Sequence, residues 1–148
     1  MSSLFNISIQ WKNTSDKFDY ETFDRRHTIA FSGNQTLKNS SAPDFFGNTD
    51  SANPEELLAS ALASCHMLTF LVVASKSGYI VGSYTDQIEA ILDKNEEGKL
   101  SVTTINLNPI VLFSGEKQPD VEKLKSLHEK AHRNCFIANS IKTKVNIL

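Results

Sequence analysis

The sequence predicts an α+β domain in which helices lie against antiparallel sheet. Three observations carry this. Short stretches of alternating apolar and polar residues recur along the chain, one uncharged helical segment sits near its middle, and a second, amphipathic helical segment follows a hairpin signature. The 148 residues are the usual size of one domain, 1–148, long enough to bury a core. Apolar residues make up 40% and charged residues 22% of the chain, the composition of a globular protein rather than a disordered or collagen-like one.

In chain order, Asn6–Asn13 alternates Ile7, Ile9 and Trp11 against Ser8, Gln10 and Lys12, a half-buried strand. Arg26–Ser32 alternates again. Residues 33–52 are rich in Ser, Asn, Gly and Asp and read as loop, with a short strand near Thr36–Asn39; so long a loop often belongs to a site. Asn53, Pro54 and Glu56 have the spacing of a capping box with proline at the first helical position, and Gly78 supplies the stop. Tyr84–Asp93 and Leu100–Phe113 read as two extended stretches joined by a hairpin at Asn95–Gly98. Asp120 caps a second helix with Val121, Leu124, Leu127 and Ala131 on its apolar face, and Ile141–Leu148 alternates as a last strand.

Several function classes are excluded. The net charge is −2, with no basic stripe, so a nucleic-acid partner is not expected. Two cysteines do not make a secreted disulfide scaffold, and the first residues lack a basic, then apolar, leader; a cytoplasmic protein is expected. Leu57–Ala74 carries no formal charge over 18 residues, which touches the lower limit for a membrane span. Its serines, Cys65, His66 and Thr69 argue instead for the central helix of a soluble core, and no membrane association is expected.

The chemistry-bearing residues gather around two cysteines. Cys65 lies in the apolar helix and Cys135 just beyond the second helix, so only the fold brings them together. His66, His128 and His132 lie near them in the chain, and with the thiols they make a conceivable tetrahedral zinc set without a standard spacing. Otherwise His128 is expected to be solvated, and His66 and His132 to be core or interface residues with satisfied nitrogens. A reactive Cys65 needs a positive charge delivered from elsewhere, because apolar burial raises a thiol pKa. Arg25 and Arg26 are the candidates, with Glu55 or Glu56 to hold the guanidinium. Ten residues of helix separate Glu55 from Cys65, about 15 Å at about 1.5 Å per residue. One chain's Glu55 therefore cannot reach its own Cys65, and a two-fold dimer with antiparallel central helices would share the site.

The run Asn-Pro-Glu-Glu-Leu-Leu-Ala-x-Ala-Leu-Ala-x-Cys (Asn53–Cys65), with Ala-His-x-x-Cys-x-Ile-Ala-Asn-Ser (Ala131–Ser140) downstream, resembles the OsmC/Ohr family, osmotically inducible protein C and the organic hydroperoxide resistance proteins. The likeness runs from about Arg25 to Ile141. It implies antiparallel sheets packed around a long central apolar helix in an intertwined homodimer, with two composite sites and no cofactor. It implies a thiol-dependent peroxidase in oxidative or osmotic stress defence, in which Cys65 is peroxidatic, Cys135 is resolving, and Arg25, taken over Arg26, is held by Glu55. The substrate would be an organic hydroperoxide, with hydrogen peroxide a second candidate, and an external dithiol of lipoyl type the reductant. An apolar wall of Leu62, Met67, Phe70, Phe45 and Phe46 would favour the organic peroxide. His66-Met67 stands where the Ohr branch carries an aromatic after the cysteine, and with the Arg26-His27 neighbourhood this resembles an OsmC-like branch. The alternative class is a non-enzymatic dimer that binds a small apolar ligand or senses oxidants through Cys65.

Overall fold

The computed structural model describes residues 1–148, which divide into two compact units, Met1–Leu57 and Leu58–Leu148. In the first unit, β1 (Ser8–Gln10), β2 (His27–Ala30) and β3 (Thr36–Asn39) form an antiparallel sheet in that order. Ile9 pairs with Ile29, and Ile29 with Leu37. All three residues of β1 are exposed, with Ile9 62% open, so the half-buried strand expected there is not found in a single chain. The reason is that β1 is an edge strand, paired on one side only. Trp11, Phe18 and Phe23 pack on one another beside it, with ring centroids 5.1–6.3 Å apart, and the Trp11 indole N–H donates to the Asp24 carbonyl at 2.7 Å.

The loop after β3 is pinned by its own polar groups. The Ser40 N–H donates to the Ala52 carbonyl at 2.8 Å, and the Ser40 hydroxyl to Asn48 Oδ1 at 2.9 Å. Gly47 is needed here, since a Cβ at that position would collide with the Ser41 carbonyl.

The helix α1 (Pro54–Lys76) starts where the capping box requires. Asn53 Oδ1 accepts from the Glu56 N–H at 2.9 Å, and Glu56 Oε2 accepts from the Asn53 N–H at 3.1 Å. It ends at Gly78, whose φ of 77° suits a residue without Cβ. There the Gly78 N–H bonds the Ser75 carbonyl and the Tyr79 N–H the Ala74 carbonyl, the two-bond Schellman closure.

Within the second unit, β4 (Ile80–Asp86) pairs antiparallel with β7 (Pro109–Ser114), and β5 (Glu89–Lys94) with β6 (Leu100–Leu107). Each of the two long extended stretches expected from the sequence is therefore split. Asp86 marks the break, its Oδ1 accepting from the Asn108 N–H at 2.7 Å and closing one end of the β4–β7 ladder. The β5–β6 hairpin turns as expected, with Asn95 Oδ1 accepting from the N–H groups of Glu97 and Lys99 and Gly98 at φ 76°. The last strand, β8 (Lys144–Ile147), runs parallel to β6, a departure from a purely antiparallel arrangement. Parallel pairing is possible because α2 (Val121–Asn134) lies between the two strands in the chain and returns it to the same end of the sheet.

Two cores fill this unit. Ala59, Leu62 and Ala63 of α1 meet Ile105 and Leu107 of β6 and Cys135, while Phe70, Val73 and Ala74 meet Leu127 and Ala131 of α2. By length and composition α1 would also cross a membrane. Its buried side chains, however, recur at helical spacing along one face and supply both cores.

Candidate functional site

The site is built on a helix and a turn. Cys65 is half-buried on α1, and Cys135 is the fully buried residue that ends α2, its N–H donating to the His132 carbonyl at 3.2 Å. From there the chain winds round the Cys135 sulfur. The Ala138 N–H donates to Cys135 Sγ at 3.4 Å, the Asn139 N–H to the Cys135 carbonyl at 3.1 Å, and the Ser140 hydroxyl to the Phe136 carbonyl at 2.7 Å. This turn carries the amides of Phe136 and Ile137 to Cys65 Sγ, and the two cysteine side chains meet there as free thiols.

The electrostatics of the pair are unequal. Burial by itself would raise the Cys65 thiol, but it is outweighed by N–H donation from Ile137, S–H donation from Cys135, and donation from the Phe136 N–H and the Thr69 hydroxyl, leaving its pKa below the ordinary value. For Cys135, burial and the neighbouring Cys65 push the thiol up, against the Ala138 and Ile137 amides. The arrangement therefore favours ionisation of Cys65 over that of Cys135, the division of labour that thiol–disulfide chemistry asks of a nucleophile and its partner.

Arg25 and Glu55 belong to the first unit. Arg25 donates to the Tyr20 carbonyl at 2.6 Å and the Phe23 carbonyl at 3.0 Å, and its guanidinium carbon lies 3.9 Å from the Phe23 ring centroid and 5.3 Å from that of Phe46. It borders an open pocket of about 370 Å³ shared with Ile9, Trp11, Phe18, Phe23, His27 and Ser41. Arg26, by contrast, is a surface residue held at 3.7 Å by Asp24 and by Asp50. Glu55, in the first turn of α1, keeps Oε2 buried without a partner, and it forms no ion pair with Arg25 in one chain.

Three expectations are corrected. His128 is not solvated but 7% exposed, because the apolar face of α2 is wide enough to carry it inward onto Phe70, at 4.2 Å between centroids. His66 and His132 each keep an Nδ1 that is buried and unpartnered, so their nitrogens are not all satisfied. Leu62 and Phe70 are fully buried in separate cores and cannot wall an open substrate site. Nor is the tetrahedral zinc set assembled: the thiols face each other, His66 faces His128, and no three His, Cys, Asp or Glu side chains are grouped to hold a metal ion. Reading the sequence for chemistry missed Thr69 and the amides of Phe136 and Ile137; only Thr69, one turn beyond Cys65, had a visible signal in its spacing.

A two-helix α+β fold that brings two free cysteines together, one with its thiolate favoured, defines a thiol-pair protein. Residues 47–148 match the family model for OsmC, described as OsmC-like protein. The chain belongs to the OsmC family. It is 40% identical to an OsmC-like protein of unknown function from Vibrio cholerae O1, covering 99% of each chain with a TM-score of 0.94. It is 26% identical over 116 residues to the uncharacterized protein YmaD of Bacillus subtilis, covering 78% of this chain and 77% of that one. An organic hydroperoxide resistance protein from Elizabethkingia anophelis shares the fold, with a TM-score of 0.70 at 19% identity and coverage of 99% and 95%.

Proposed function

We propose that the protein is a cysteine-based peroxidase that reduces organic hydroperoxides in the cytoplasm. The observation that carries this reading is the contact between Cys65 and Cys135, with the Cys65 thiolate favoured by the amides of Phe136 and Ile137. Names of structural neighbours, which include organic hydroperoxide resistance proteins, point the same way.

The Cys65 thiolate attacks the distal oxygen of the hydroperoxide, and the O–O bond breaks. The alkoxide leaves and takes a proton to become an alcohol, while Cys65 becomes a sulfenic acid. The Cys135 thiol then attacks the sulfenic sulfur, a water molecule leaves, and a disulfide forms. An external dithiol restores both thiols by exchange and is itself oxidised to a disulfide. Because the two cysteine side chains are already in contact, resolution needs little backbone movement.

Arg25 supplies the positive charge at the reacting oxygens, and Glu55 holds it. Glu55 lies ten residues before Cys65 on the same helix, so the composite site takes its guanidinium–carboxylate pair and its thiol pair across a two-fold homodimer. The unpartnered Glu55 Oε2 supports this, since a buried carboxylate oxygen left without a donor is costly and a partner's cation would relieve it.

The test is consumption of cumene hydroperoxide with dihydrolipoamide as reductant. Wild type is expected to turn over, and Cys65→Ser to fall to the uncatalysed rate. Equal rates for the two proteins would overturn the reading.

A further inference from the structure

Thr69 lies one turn beyond Cys65 on α1, and its hydroxyl donates to the Cys65 carbonyl at 2.8 Å. Such a bond back to the preceding turn is common for a helical threonine and by itself implies no role. Here the same hydroxyl also stands one helical turn from the Cys65 side chain on the same face of α1, and donation from it is among the contacts that lower the thiol pKa. A hydroxyl has one proton to give, so the two acceptors, both on Cys65, compete for it.

We propose that Thr69 is a positioning residue for the peroxidatic thiol: its hydroxyl bonds the Cys65 carbonyl while the sulfur is uncharged and turns to the sulfur when the thiolate forms. This deepens the peroxidase reading and rests on Cys65 being the nucleophile.

The physical basis is that a charged acceptor draws a donor more strongly than a neutral one. With the sulfur protonated, the carbonyl is the better acceptor. With the sulfur ionised, the thiolate is, and a rotation about one side-chain bond suffices for the exchange. The carbonyl loses little, because it remains the acceptor of the Thr69 N–H within the helix. The thiolate thus gains a donor from its own helix to set beside the Phe136 and Ile137 amides of the following turn. Those amides are fixed by backbone and Cys135 is itself a reacting group, whereas Thr69 is a donor that a conservative side-chain change can remove and restore without touching either thiol.

The test is the pH dependence of alkylation at Cys65, followed by iodoacetamide labelling and peptide-level mass spectrometry so that Cys135 is scored separately. Thr69→Val keeps the shape of the side chain and removes the proton. It is expected to move the Cys65 profile to higher pH and to slow labelling below the midpoint by about tenfold or more, the loss of one hydrogen bond to a charged group. Thr69→Ser is expected to restore the wild-type profile, and Thr69→Ala to repeat the shift if the valine protein folds poorly. A profile unchanged in both Thr69→Val and Thr69→Ala, or one shifted equally in Thr69→Ser, would overturn the proposal. Labelling does not depend on turnover: absent peroxide consumption by wild type with a shifted Thr69→Val profile defeats the peroxidase reading alone, and the reverse result defeats the role of Thr69 alone.

Discussion

His66 Nε2 lies 3.0 Å from His128 Nδ1, the two rings within 6° of parallel, in the interior of the second unit. Both imidazoles are held near pKa 4, His66 by burial and then by repulsion from His128 and His132, His128 by burial. One ring donates and the other accepts, so the acceptor must be neutral, and the depressed pKa values keep both rings uncharged near neutral pH. In the unfolded chain each would titrate near about 6.5. The folded pKa is therefore depressed, the unfolded chain binds more protons between about pH 6.5 and 4, and stability falls as pH falls through that window. Urea denaturation from pH 7.5 to 4 is expected to show a loss on the order of a few kcal/mol, with no further loss from this pair below about pH 4. A flat profile over that range would remove the neutral pair.

Truncating one member of the pair should hurt at every pH. His128→Ala leaves His66 Nε2 without a partner in a fully buried ring and opens space beside Phe70. An unsatisfied buried nitrogen and a cavity each cost about 1–3 kcal/mol, so a drop of several degrees in Tm is expected in calorimetry at pH 7.5.

In the proposed peroxidase cycle Cys135 serves Cys65 twice, as a donor to its sulfur before the chemistry and as the attacking thiol after it. Cys135→Ser is expected to leave one rapid equivalent of peroxide consumption per chain and to stall with Cys65 as sulfenic acid, trapped by dimedone and seen by mass spectrometry. Steady turnover with dihydrolipoamide should drop tenfold or more. Undiminished steady turnover would show that a small thiol resolves Cys65 directly.

What the sequence made legible was local. The capping box at Asn53–Glu56, the Asp120 cap, whose carboxylate accepts from the Lys123 N–H at 2.7 Å, and the Asn95–Gly98 turn each rest on residues within four positions of one another. The pairing of β4 with β7 and of β6 with β8 joins segments far apart in the chain, and nothing in the alternation of Ile80–Asp86 names its partner. The site divides the same way. Cys65 and Cys135 were visible as types and by motif, but their contact depends on the turn at 135–140, where backbone amides, which carry no residue signature, do the work. His128 looked solvated because charged neighbours surround it in sequence, while the side chains that enclose it come from α1.

The capping box itself can be measured. Asn53→Ala removes one bond of the reciprocal pair and is expected to cost about 1 kcal/mol in urea denaturation. Glu56→Ala should cost less, since its partner N–H can turn to water. The double variant should fall short of the sum of the two, because each bond orients the group that makes the other.

The last prediction concerns the face of α1 that the single chain leaves uncovered. Ala61, Ser64, Leu68 and Val72 recur at helical spacing and are exposed, Leu68 by 56% and Val72 by 52%. Covering the exposed half of each of the two large side chains is worth about 1 kcal/mol, and the small residues beside them let a second helix approach closely. In a two-fold pair of antiparallel α1 helices, Leu68→Glu sets two carboxylates in the interface, where desolvation and mutual repulsion oppose association. Sedimentation equilibrium is expected to give a dimer for wild type and a monomer for Leu68→Glu, with peroxide turnover lost together with the dimer. A solvent-facing control, Glu122→Lys on α2, should change neither. A wild-type protein that sediments as a monomer while reducing peroxide at full rate would leave Glu55 with no route to Cys65 and would end the composite-site reading.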